Sequence, residues 1–161
     1  MKRKIVRATF VVISITTLYV SLVPATQAED SCSTAKAAGV WGVTLTGTLI
    51  LPTAPVPGAA IATLSADAAG DISGTEARNV GGNFANETII GAWTVNSDCT
   101  GTATANIYES GQLVRTSVLS VVLDDNLREV RMVQQSLTLP DGSTIPAVIT
   151  VEGKRLFRQR P

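Results

Sequence analysis

The chain has 161 residues, 13 Lys and Arg against 13 Asp and Glu, two cysteines and no histidine. Without imidazole there is no Ser-His-Asp or Cys-His machinery and no histidine metal site, and no Gly-rich loop with a following Lys offers a phosphate cradle. Lys2, Arg3, Lys4 and Arg7 precede the first acid at Glu29, so the chain beyond residue 28 has net charge −4. Bulk attraction to nucleic acid or anionic membranes is therefore not expected.

Residues 1–28 read as a secretory signal peptide: a basic start, an uncharged run from Ala8 to Val23, and small side chains at Ala25 and Ala28. The run is too short to span a bilayer, and Pro24 ends it. Cleavage is expected near Ala28, leaving residues 29–161 as a single extracytoplasmic domain, periplasmic or secreted, with no membrane span. That length supports one hydrophobic core. Cys32 and Cys99 are the only cysteines, and in an oxidising compartment they are expected to pair. Closing a loop of about 68 residues restricts the unfolded chain by ~4 kcal/mol in the entropy model.

In the mature chain one short helical turn is expected at 33–38. Elsewhere Thr, Val, Ile and Gly dominate, with apolar residues at period 2. The first strand covers 41–49, with Gly47 a place to bend, and Pro52, Pro55 and Pro57 then interrupt the pattern. Strands follow at 59–65, 72–79, 88–95, 102–108, 113–123, 128–137 and 147–157. The turns between them are rich in Gly, Asn and Asp. Such turns suit antiparallel pairing and are too short for parallel crossovers. The expected fold is all-β: one antiparallel eight-stranded meander with one disulfide, closed as a barrel, with a β-sandwich as the alternative.

Two segments carry a more specific pattern. Cys32-Ser33 is followed by Gly39-Val40-Trp41-Gly42, with Gly47 beyond. Gly91-Ala92-Trp93-Thr94-Val95-Asn96 continues into Ser97-Asp98-Cys99-Thr100-Gly101-Thr102. Together they resemble a group of small exported bacterial β-barrel proteins with Cys-Ser-x5-Gly-x-aromatic-Gly and Gly-x-aromatic-Thr-Val-Asn-x-Asp-Cys-Thr-Gly-Thr motifs. This chain departs from the group in its two tryptophans and in Val43, where Phe is usual. The resemblance implies a disulfide between the N-terminal segment and the hairpin turn. It also implies a barrel similar in outline to allene oxide cyclase and lipocalin-type barrels, and it implies no activity. Read without the group, the hairpin motif is a folding and packing device.

No catalytic residue, cofactor or metal site is assigned from the sequence. Asp67–Asp71 and Asp124-Asp125 lack EF-hand spacing and read as ordinary turns. Glu76 and Arg78, two apart on one strand, share a face. An exposed surface pair is the expectation and an interior polar site the alternative. Tyr108, Arg115 and Arg131 are expected at the rim or exterior, and the basic residues Lys154, Arg155, Arg158 and Arg160 as a solvated tail. Three functions compete. A binding module would hold a small apolar molecule against Trp41 and Trp93, with Glu76 and Arg78 as its polar contacts. A structural or interaction protein would have a solid core and an unknown protein partner. An isomerase- or cyclase-like enzyme would need an interior carboxylate such as Glu76.

Overall fold

The computed structural model describes residues 31–124 and 126–156. The expected signal peptide, Asp125 and the segment from Phe157 onward, with Arg158 and Arg160, lie outside the described residues. The fold is a closed barrel of eight antiparallel strands in sequential order. They are β1 (Gly39–Ile50), β2 (Pro55–Ala66), β3 (Asp71–Val80), β4 (Asn83–Val95), β5 (Thr100–Glu109), β6 (Gln112–Asp124), β7 (Glu129–Thr138) and β8 (Ala147–Arg155). β1 pairs with β2 on one side and with β8 on the other, which closes the sheet. Closure pairs every strand on both sides, except where β7 and β8 part at one end.

The strands run further than their apolar patterns. β2 begins at Pro55 rather than after Pro57. In an antiparallel ladder a residue's N–H and C=O point to the same side. Gly81 N donates to Pro57 O at 2.9 Å on the β3 side, so the missing N–H groups of Pro55 and Pro57 face away from β1. β2–β3 pairing starts only at Gly58, so the missing donors break no ladder bond. β4 starts at Asn83, five residues before the expected 88. Gly81 and Gly82 sit at φ 59° and 89°, and Val80 pairs directly with Asn83. That is a two-residue hairpin of the type in which both central residues need positive φ. β1 stays paired on both sides through Gly47, where a Cβ would meet the Val148 carbonyl and Ile149. The glycine therefore permits close approach of β8.

One end of the barrel is plugged. A one-turn helix, α1 (Thr34–Ala37), is capped by Ser33 Oγ accepting from Lys36 N at 3.2 Å. Val95 N donates to Thr34 Oγ1 at 2.9 Å, and Cys32 N to Ser97 O at 3.3 Å. The Cys32–Cys99 disulfide ties the same segment to the β4–β5 turn, as an oxidising compartment allows. Beneath the plug, Trp41 and Trp93 pack edge to face with ring centroids 5.8 Å apart. Trp41 Nε1 donates to Ala37 O at 3.2 Å. Val95, Val121, Leu123 and Val130 complete this half of the core. Lys154 and Arg155, expected in a tail, belong to β8; Arg155 lies 6.0 Å over the Trp41 ring and donates to Ala38 O.

The other end is looser. The β7–β8 ladder covers only Glu129–Val133 opposite Thr150–Lys154. Above it the strands diverge, and the 139–146 connection crosses the gap, with Ile145 N donating to Leu137 O at 2.9 Å.

Candidate functional site

The open half contains a cavity of about 350 Å³. It exists because inward positions at this level carry little bulk: Gly47, Gly58, Ala60, Ala105 and Ser117 all line it. Leu45, Leu49, Leu137 and Ile149 supply an aliphatic wall from β1, β7 and β8. The opposite wall is ionic, made of Glu76, Arg78, Glu87 and Arg115.

Glu76 and Arg78 thus point into the barrel, against the expectation of an exposed pair. They also do not pair with each other. Glu76 and Glu87 are direct neighbours across the β3–β4 ladder. Like charges so placed are repulsive, and here two guanidiniums offset them. Arg115 Nη2 contacts Glu76 Oε1 at 2.5 Å and Glu87 Oε2 at 2.6 Å, and its Nη1 donates to Glu87 Oε1 at 2.8 Å. Arg78 Nε donates to Glu87 Oε1 at 2.7 Å, its Nη1 to Asn83 O, and its Nη2 lies 3.6 Å from Glu109 Oε2 at the rim.

The two acids titrate apart. Burial raises Glu76 to about 7, helped by its hydrogen bond to Glu87 and opposed by Arg115. Burial also pushes Glu87 upward, but hydrogen bonds from Arg115, Glu76 and Arg78 outweigh it and hold Glu87 at about 2. The pair therefore keeps one shared proton across the intervening range. Arg115 is disfavoured as a cation by burial, yet its bonds to Glu87 and the charge of Glu76 raise it on balance.

Arg115, expected at the rim or exterior, is brought inside by a β-bulge. From the Glu109/Gln112 turn the pairing runs to Tyr108/Leu113 and then shifts, so that Ile107 faces Arg115 and Val114 is the extra residue. Unshifted, Arg115 would face Asn106 on the outer surface. The shift places Arg115, Ser117, Leu119, Val121 and Leu123 on the inner face together. Arg131 is outside as expected, paired with Asp124 Oδ2 at 2.8 Å, and Tyr108 is half-buried on β5.

No known protein family, curated protein or solved structure matches this chain.

Trp41 and Trp93, expected against a ligand, are packed under the plug, and neither lines the cavity. The motifs that contain them build the closed end. Apolar patterning misses Glu87 because it starts the fourth strand at Thr88. The Gly81-Gly82 turn holds the signal: a tight hairpin pairing Val80 with Asn83 puts Glu87 opposite Glu76 by counting alone. Ser117 is buried and lines the cavity. Among the described residues no group of three or more His, Cys, Asp or Glu is placed to hold a metal. The Asp67 turn is an ordinary one, its Oδ1 accepting from Ala69, Gly70 and Asp71 N–H groups at 2.8–2.9 Å.

Proposed function

We propose that this is an exported binding protein whose barrel holds one small, largely apolar molecule in its open half, after removal of residues 1–28. The observation that carries this reading is the cavity of about 350 Å³. Ligand chambers start at about 300 Å³. At about 30 Å³ for each water-sized atom, the space admits a molecule of about a dozen non-hydrogen atoms. The aliphatic wall supplies burial at roughly 25 cal/mol per Å², and the ionic wall fixes orientation. A solid-core structural role is less well supported, because small inward residues leave this half unfilled.

The test is native mass spectrometry of protein purified gently from its host's exported fraction. A bound mass that disappears on denaturation is expected, as is a lower occupancy in an Ala105→Leu variant, whose three added carbons take up about a quarter of the chamber. An apo mass that persists after exposure to a lipid and metabolite extract would overturn the reading.

Proton-transfer chemistry is a second reading, favoured by one observation: Glu76 is a buried carboxyl at a ligand-sized cavity and titrates near neutrality. It requires Glu76→Gln to abolish turnover of the bound molecule while leaving it bound.

A further inference from the structure

We propose that the cavity takes an amphipathic primary amine, with the ammonium head on the Glu76 carboxylate and the hydrocarbon part against Leu45, Leu49 and Ile149. This rests on reading the cavity as a ligand chamber.

Three carboxyls form the ionic cluster, Glu76, Glu87 and Glu109, against two guanidiniums, Arg78 and Arg115. The cluster is one cation short. Both arginines are spent chiefly on Glu87, which receives contacts from each of them, whereas Glu76 receives one, from Arg115 Nη2. Glu76 is therefore the under-neutralised member, held by a proton where Glu87 is held by cations. Among the described residues, no other ionisable side chain lines the cavity from β1, β2, β5, β7 or β8. An ammonium group would supply the third positive charge. A carboxylate ligand would add a fourth negative one, and a neutral head would leave the deficit.

Two further observations point the same way. Ser117 is buried and lines the cavity, and its hydroxyl offers a second acceptor for an ammonium N–H. The remaining cations of the described residues, Lys36, Arg128, Arg131, Lys154 and Arg155, belong to the plugged end. The loops of the open end carry Asp141 and no Lys or Arg. The mouth thus attracts cations.

The test is calorimetry of the disulfide-bonded protein at pH 6 with octylamine, octanol and octanoate, which share one chain length. Octylamine is expected to bind ~10-fold or more tightly than octanol, as a charge-assisted hydrogen bond exceeds a neutral one. Octanoate is expected to be weakest. Amine binding should release protons, seen as heats that change with the ionisation enthalpy of the buffer. Glu76→Gln should reduce octylamine to the affinity of octanol and leave octanol unchanged. If that variant does not fold, proton release by the wild-type protein decides. Octanol or octanoate binding as tightly as the amine would overturn the ammonium assignment and leave the chamber standing. Unchanged amine affinity in a folded Glu76→Gln would overturn the role of Glu76. Binding by none of the three would overturn both readings.

Discussion

Glu76 and Glu87 face each other across the β3–β4 ladder, and one nitrogen, Arg115 Nη2, lies 2.5 Å from the first carboxyl and 2.6 Å from the second. The guanidinium comes from β6, two strands beyond β4, so it spans the interior and ties non-adjacent strands together. Such a cluster is costly to build, because each ion loses its hydration. It persists because each charge meets an opposite one and the pair of acids keeps a shared proton.

Arg115→Leu should be the most damaging single change in the open half. It leaves two buried carboxyls without their bridge, and breaking a buried pair from one side costs about 3–5 kcal/mol. Arg131→Ala should cost less than about 1 kcal/mol, because its partnership with Asp124 is solvent-exposed. Urea denaturation of the two variants side by side checks the contrast.

The acid pair gives stability a defined pH dependence. Between about pH 2 and 4.5 the unfolded chain binds a proton that folded Glu87 does not, so stability rises with pH. Between about pH 4.5 and 7 folded Glu76 holds a proton that the unfolded chain has lost, so its contribution falls as pH rises. The pair's contribution should thus peak near pH 4.5, with each limb worth up to ~3 kcal/mol. Glu76→Gln should flatten the limb above the peak and leave the acid limb, which thermal melts from pH 3 to 8 would show.

Deleting Val114 should be tolerated. It is the extra residue of the bulge, and Ile107 faces Arg115 with or without it. Deleting Thr116 instead places Arg115 and the Ser117–Leu123 set on opposite faces, because one residue reverses a strand's inside and outside. The first variant is expected to melt cooperatively and the second not to fold. Circular dichroism distinguishes them.

Trp93→Phe should lower stability and leave cavity binding unchanged, since Trp93 packs against Trp41 beneath the plug and does not line the chamber. The loss should be modest, about 1–2 kcal/mol, below the roughly 3–5 kcal/mol of full truncation because a phenyl ring keeps most of the volume. One offset is that Trp93 Nε1 is buried without a hydrogen-bond partner, so no bond is lost with it. Melting temperature and octylamine affinity measured together test both halves.

The sequence by itself determined the eight strands, their antiparallel order, the short helical turn and the pairing of Cys32 with Cys99. Those follow from period-2 patterning, Gly/Asn/Asp turns and the presence of only two cysteines, all of which are local or countable. Which face of β3 and β6 lies inside was decided only by the tertiary structure. On β3 both faces carry polar residues, so no apolar stripe marks the interior at Glu76 and Arg78. On β6 the inside is set by a bulge at Val114, a one-residue shift between partner strands that leaves no mark in the pattern of one strand alone. The aromatic residues posed the opposite difficulty. Trp41 and Trp93 are conspicuous in sequence, yet burying a large ring is as useful to a plugged end as to a ligand site. The cavity formed elsewhere, where the inward residues are small and the buried charges had to find one another across the barrel.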